Sequence, residues 1–246
     1  MPVISESRIY NKLSYVYDGL MKSVDFNVWT RYILDIAKIN ATKNSSFLEL
    51  AAGTCRMAVK INTVYPDLIA TDFSLPMMQI DKKNSLKKVC CSMLNLPFKT
   101  KFDFIYCTFD SINYLQTKKE LITLFSEIES LLDGDGVFTF DASLENNSLE
   151  FTEEQVTEDK FDGNSFKRIN CYDKEKRIHT NIFYIKNADG KKYKEVHKQK
   201  IYEFETYFNL INKAGLLVKE CYDGFTFSDG SPESERVQFI IGKNKV

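Results

Sequence analysis

The sequence predicts an α/β fold: a doubly wound, seven-stranded sheet with a small antiparallel β insertion. Three observations carry the prediction. Between residues 46 and 140, apolar strand-like runs alternate with helix-period runs over short connections, as in successive βαβ units. One of those runs, Phe102–Phe109, is apolar almost throughout, as a strand buried on both faces is. After Asp141 the alternation stops, three β-rich runs follow one another, and strand and helix patterns return only at the end of the chain.

The elements justify themselves in order. Residues 9–23 place Ile9, Leu13, Val16, Leu20 and Met21 at steps of three and four, which predicts a helix. In 27–40, Trp29, Ile33, Ile36 and Ala37 fall on one face of a second helix. Residues 46–51 read as the first core strand, Arg56–Tyr65 as a helix and Leu68–Asp72 as a strand. Pro76 suits a helix start, and that helix is expected to run to about Lys87. Val89–Cys91 is a short strand, Phe102–Phe109 the long one and Lys118–Leu132 an amphipathic helix. Asp133-Gly134-Asp135-Gly136 predicts a turn before the strand Val137–Phe140. The polar, acidic stretch 143–165 precedes the β-rich runs Phe166–Tyr172, Ile178–Ile185 and Tyr193–Phe204, an expected antiparallel meander. Thr206–Ala214 reads as a helix with Gly215 at its left-handed cap, followed by strands Leu216–Cys221 and Val237–Ile241. The expected division is therefore a core of residues 1–142 and 205–246, with an insertion of residues 143–204.

Composition narrows the function classes. A net charge of −1 gives no polyanion-binding balance, so no nucleic-acid partner is expected. The six cysteines form no C-x-x-C pair and there are only two histidines, so no metal site is expected. No run reaches the roughly 18 apolar residues of a membrane span, and the first residues hold no apolar signal core. The expectation is a reduced, cytoplasmic protein with no membrane partner; nothing in the sequence sets its oligomeric state.

Four strand ends line up along the carboxyl edge of the predicted sheet, where open α/β sheets bind ligands. The first is Glu49-Leu50-Ala51-Ala52-Gly53-Thr54-Cys55-Arg56, a small-residue turn running into a helix that presents free N–H groups. The second ends in Asp72, 23 residues after Glu49, a spacing at which a carboxylate accepts from ribose hydroxyls. The third is Cys91-Ser92-Met93-Leu94 and the fourth Thr108-Phe109-Asp110-Ser111.

This ordered set resembles the class I S-adenosylmethionine-dependent methyltransferases, in the small-molecule branch with an antiparallel insertion. The resemblance spans nearly the whole chain. It takes in Tyr10, Tyr17-Asp18, Met21 and Trp29, the turn Leu48 to Thr54, and Asp72-x-Ser74-x2-Met77-Met78. It continues through Phe102-Asp103-x-Ile105, Asp110-Ser111-x-Asn113-Tyr114 and Glu195-x-His197 to Ser234-Glu235-Arg236-Val237. It implies a Rossmann-like sheet with its last strand antiparallel, S-adenosyl-L-methionine as cofactor, and a small-molecule methyl acceptor. Position by position, it implies that Ala51 and Gly53 lie under the methionine part of the cofactor and that Glu49 anchors the loop. It makes Asp72 the ribose ligand with Phe73 and Met77 beside the adenine. Ser92 and Met93 then surround the adenine, Phe109 and Asp110 face the sulfonium and substrate, and Tyr10 and Tyr17 close over both. Two positions depart from the pattern: Cys55 stands where a third glycine is usual, an expected crowding of the methionine end, and Ser92 stands where an aspartate is common.

The residues leave their own alternatives. Asp72 also suits a cap next to Ser74, Tyr10 and Tyr17 also suit plain packing, and Asp110 is either a general base or the cap of the following helix. Strand alternation over 193–201 puts Glu195 and His197 on one face and Lys192, Lys194, Lys198 and Lys200 on the other, solvated face. His197 is then either a base near neutral pH or a hydrogen-bonded structural histidine. A nicotinamide-dependent oxidoreductase is the competing enzyme, but it calls for a G-x-G-x-x-G turn where this one has a single glycine. A fold-retaining binding protein with weakened cofactor affinity is the third reading.

Overall fold

The computed structural model describes residues 4–81 and 85–244 and holds two sheets. The chain begins with strand β1 (Ile4–Glu6), a 3-10 turn at Leu13–Tyr15, and helices α1 (Tyr17–Leu20) and α2 (Phe26–Asn40). Asp25 caps α2 by accepting from the Asn27 amide, and Trp29, Ile33, Ile36 and Ala37 form its buried face, as their spacing predicts. Alternation follows: β2 (Phe47–Leu50), α3 (Arg56–Asn62), β3 (Ile69–Asp72), α4 (Leu75–Met78), β4 (Lys87–Cys90), β5 (Phe102–Cys107), α5 (Lys118–Leu131) and β6 (Leu132–Ser143). A capping box of Thr117 and Glu120 starts α5. Then come β7 (Gln155–Phe161), β8 (Asn164–Asp173), β9 (Ile178–Lys186), β10 (Lys192–Lys200), α6 (Phe204–Lys213), β11 (Leu216–Asp223) and β12 (Arg236–Lys243).

The seven-stranded sheet has the order β11-β12-β6-β5-β2-β3-β4. Strands β6, β5, β2, β3 and β4 run parallel to their neighbours, while β12 is antiparallel to both β6 and β11. Helices α5 and α6 cover one face with Leu121, Leu124, Phe125, Tyr207 and Leu210. Helices α2 and α3 cover the other with Ile33, Ile36, Met57, Ala58 and Ile61. The doubly wound architecture and its antiparallel last strand are as predicted.

The second sheet has the order β1-β10-β9-β8-β7 and is antiparallel throughout β7 to β10. Two of its strands differ from expectation. β7 lies in the polar, acidic stretch ahead of the three β-rich runs; nearly all its residues are exposed, so no apolar alternation marks it. β1, three exposed residues parallel to β10, brings the amino-terminal segment into the insertion's sheet. A third core, Leu13, Val16, Phe166, Phe183 and Ile185, seals that attachment.

Three further expectations are corrected. The helix over 9–23 is only the 3-10 turn and four-residue α1, because Tyr10 holds a left-handed φ of 58° and the apolar residues serve two surfaces instead of one. The helix from Pro76 stops at Met78, and residues 82–84 of the expected span lie outside the described residues. Asp133 to Gly136 is a bulge within β6, where pairing jumps from Phe102 with Leu132 to Phe104 with Val137. A Cβ on Gly136 would meet the Phe102 carbonyl at 2.8 Å, which is why glycine sits there.

Candidate active site

Strands β2 and β5 are neighbours, and the chain leaves them in opposite directions across the sheet, towards β3 and β6. A crevice opens beyond their carboxyl ends at such a switch point. It holds a cavity of about 710 Å³ when the open space at its mouth is included.

Asp72, at the end of β3, organises the floor. Its Oδ2 accepts from the Gly53 amide at 2.8 Å and its Oδ1 from the Ser74 amide at 2.7 Å. Burial pushes this carboxyl above its ordinary range, and the two amides oppose the rise. Asp72 thus ties the first turn to the start of α4 and still presents lone pairs to the cavity. The turn itself is strained: Ala51 and Cys55 hold φ of 52° and 62°, and Gly53 holds 56°. A Cβ on Gly53 would meet only the Met77 methyl, at 3.4 Å, so the glycine is required by its backbone and not by crowding.

Glu49, on β2, is buried, and its Oε2 has no hydrogen-bond partner. Burial raises its carboxyl to about 8, the nearby Tyr106 hydroxyl working against the rise. At the end of β5, Phe109 and Asp110 have left-handed φ of 60° and 46°. The Phe109 ring stacks on Trp29 with centroids 4.1 Å apart. Asp110 does not open onto the cavity. Its amide donates to Asp141 Oδ2 at 2.8 Å and its Oδ2 pairs with Arg236 at 3.3 Å, while Arg236 also bonds Asp141.

Tyr10, Tyr17 and Tyr114 form the roof. The Tyr10 and Tyr114 hydroxyls are 2.7 Å apart, and burial holds both above the usual phenol range. His197 lies one layer further back. Its Nδ1 is 3.2 Å from the Tyr114 hydroxyl and its Nε2 3.3 Å from Glu195 Oε2. The hydrogen-bond pattern sets the tautomer: Nε2–H donates to the carboxylate, leaving Nδ1 to accept from Tyr114. Glu195 also accepts from the backbone amides of Lys12 and Leu13, pinning the amino-terminal segment onto β10.

The structure therefore brings Tyr10, Tyr17, Glu49, Ala51, Gly53, Asp72, Phe73, Met77, Met93 and Phe109 to one cavity. Ser92, Asp110 and His197 are not on its wall. Ser92 is exposed and its Oγ accepts from the Leu94 amide, a turn-capping bond. Cys55 is fully buried in the core under α2 and α3 and does not itself line the cavity, its thiol donating to the Gly53 carbonyl at 3.8 Å. Tyr114 and Arg56 also line the cavity without having been assigned a role from sequence. Arg56 sits 3.9 Å from the Phe26 ring centroid at the start of α3. The signal for Tyr114 was its place on the short turn after the fourth strand end.

The residues suit the cofactor that the resemblance implies. The unpartnered Glu49 oxygen offers a site for a cationic or hydroxyl hydrogen, Asp72 offers acceptors, and Phe73, Met77 and Met93 offer apolar walls for a flat ring.

Comparison with known proteins agrees. A family model described as a methyltransferase domain matches residues 48–140. YqeM of Bacillus subtilis (strain 168), a candidate methyltransferase, is 24% identical over 246 residues, covering 96% of this chain and 98% of YqeM. An S-adenosylmethionine-dependent methyltransferase from Clostridium acetobutylicum ATCC 824 shares the fold with a TM-score of 0.81 and 22% identity, over 96% of this chain and 99% of that one. The sugar N-methyltransferase KedS8 from Streptoalloteichus sp ATCC 53650 does so with a TM-score of 0.75 and 19% identity, over 98% of each chain. Residues 48–140 thus carry a methyltransferase domain, and the full-length relative and the shared fold support a class I S-adenosylmethionine-dependent methyltransferase with S-adenosyl-L-methionine as its methyl donor.

Proposed function

We propose that the enzyme methylates a nitrogen or oxygen of a small molecule. The observation that carries this reading is the roof: Tyr10 and Tyr17 from the amino-terminal segment and Tyr114 from the turn after β5 close the cavity, and the second sheet backs them. Such a covered site favours a small acceptor over a macromolecular surface. KedS8, described as a sugar N-methyltransferase, shares the fold. Residues 1–142 and 205–246 form the cofactor-binding core with its amino-terminal lid, and residues 143–204 the substrate cap.

The cofactor supplies a methyl group on a sulfonium, already activated for displacement. Asp72 receives ribose hydroxyls, Glu49 and the turn Ala51–Gly53 hold the methionine end, and Phe73, Met77 and Met93 wall the adenine. The protein's main contribution is alignment of the two reactants. Phe109, fixed by Trp29, and Tyr17 shape the point where they meet. Asp110, held by Arg236, positions Phe109 and is not the base. A proton leaving the acceptor passes to the Tyr114 oxygen while the Tyr114 hydroxyl proton passes to His197 Nδ1. Glu195 steadies the imidazolium that forms.

The test is methyl transfer from labelled cofactor into a cell extract divided by dialysis. Label is expected in the dialysable fraction and in neither protein nor nucleic acid; label confined to macromolecules refutes the reading. A Tyr114→Phe enzyme should bind the cofactor normally and turn over about 10²-fold or more slowly, the usual scale of a lost proton acceptor.

A further inference from the structure

The inner face of the second sheet carries a cation, Arg168, that is not in an ion pair among the described residues. Arg168 lies on β8 on the same face as Phe166 and Asn170 and is half-buried. Its Nε donates to Asn181 Oδ1 at 2.8 Å, and its guanidinium stands 5.9 Å from the Phe183 ring centroid. Among the described residues no carboxylate forms an ion pair with it. Asp110 is within electrostatic reach, but its carboxylate is already engaged by Arg236. A guanidinium withdrawn from water without a counter-charge is costly, and such a charge is usually paired.

Its neighbours are also incomplete. Asn170, the next residue on this face of β8, is 5% exposed and its Oδ1 has no hydrogen-bond partner. His179, 6% exposed on β9, leaves Nε2 without a partner while Nδ1 meets Ser148 Oγ at 3.0 Å. Burial and the charge of Arg168 push this imidazole down to about 4, so it is neutral at physiological pH.

The place of Arg168 relates it to the roof. Phe183 packs edge-on to His197 with centroids 5.2 Å apart, and His197 packs edge-on to Tyr10 at 4.7 Å. Arg168 thus stands behind the tyrosine layer, on the cap and not on the cofactor turn. We infer that Arg168 binds an anionic group of the methyl acceptor, a carboxylate or a phosphoryl group, and that the acceptor is therefore an acidic small molecule. The planar fork of a guanidinium suits both anions. Asn170 Oδ1 receives a hydroxyl or amine hydrogen of the same molecule. This inference rests on the small-molecule reading and names its substrate class.

The test uses the full chain loaded with S-adenosylhomocysteine. Thermal stabilisation by sodium malonate, sodium phosphate and, as control, sodium chloride at matched ionic strength is followed for the native enzyme, Arg168→Gln and Arg168→Lys. One anion is expected to bind the native enzyme at least about tenfold more tightly than Arg168→Gln, with Arg168→Lys between them. The anion that responds distinguishes a carboxylate source from a phosphoryl one. The inference is overturned if neither anion stabilises beyond chloride, or if Arg168→Gln responds as the native enzyme does. Should Arg168→Gln not fold, Arg168→Lys decides: an affinity equal to the native enzyme's refutes a forked contact. Calorimetry with S-adenosylhomocysteine separates the two readings, because absent cofactor binding counts against the methyltransferase site while the anion arms are read on the unloaded chain as well.

Discussion

Glu49 is a carboxyl that the fold keeps protonated well past its ordinary range. Its value rises from 4.5 to about 8 on burial, so between those limits the folded chain holds a proton that the unfolded chain has released. Stability is then greatest on the acid side and falls as pH rises towards 8, at up to about 1.4 kcal/mol per pH unit. Glu49→Gln should flatten that part of the profile, as measured by urea denaturation at several pH values in the window; an unchanged slope rules Glu49 out as its source. A cation bound in the cavity that Glu49 lines favours the ionised form. Binding of S-adenosylmethionine near neutral pH should therefore release a proton, visible as calorimetric heats that depend on the buffer's ionisation enthalpy. Cys55 makes the contrasting case. Its thiol is pushed up to about 12 by burial and faces the core, so Cys55→Gly should leave cofactor affinity within about twofold, less than one hydrogen bond's worth. Cys55→Val, placing a branched residue at a φ of 62°, should cost roughly 1–3 kcal/mol of stability. A large affinity change in Cys55→Gly would restore the crowding that the sequence alone suggests.

Among the elements, α1 is small and placed by a single close approach. Gly19 packs so tightly on β7 that an added Cβ would lie 2.5 Å from Phe161 Cβ. Gly19→Ala must therefore push β7 and α1 apart and carry Tyr17 with it, costing about 1–3 kcal/mol as overpacking does. Denaturation midpoints and S-adenosylhomocysteine affinity should both drop, and Phe161→Ala in the same chain should recover much of each; if the pair is merely additive, the contact does not place Tyr17. The elements also show what was legible in the sequence. The ends of β2, β3 and β5 were, since each strand is an apolar run that stops at a polar or small residue. β1 and β7 were not, because both faces of each are largely exposed and leave no alternation to detect. The 9–23 segment misled for a related reason: its apolar residues match helical spacing but divide between the second sheet, which takes Leu13, Val16 and Leu20, and the core around α2, which takes Met21. Ten of the thirteen residues predicted for the site share one cavity, eight of them at the strand ends and Tyr10 and Tyr17 on the amino-terminal segment. His197 and Arg168 depend on how the two sheets face each other, which no local pattern encodes.

At the scale of the molecule, the amino-terminal segment is what joins the two sheets. Ile4–Glu6 pair with β10, Leu13 and Val16 enter the core of the second sheet, and Tyr10 and Tyr17 line the cavity of the first. Glu195 holds the Lys12 and Leu13 amides, while Ser74, at the start of α4, donates its hydroxyl to the Tyr10 carbonyl at 2.8 Å. A ligand in the cavity therefore touches a segment tethered to both sheets. Such a segment opens more easily than the central strands, because short helices and a three-residue strand offer few amides to a cooperative ladder. Cofactor occupancy should stabilise it most. With S-adenosylhomocysteine bound, amide exchange over Tyr10–Leu20 should slow in proportion to occupancy, while Val137–Phe140 in the middle of the seven-stranded sheet, already buried, should scarcely change. Glu195→Gln should speed exchange in the same segment without cofactor, since a neutral amide holds two backbone N–H groups less strongly than a carboxylate. Equal protection of both regions would mean that the cofactor stabilises the chain only globally, and the segment would then be a fixed wall of the site and not its lid.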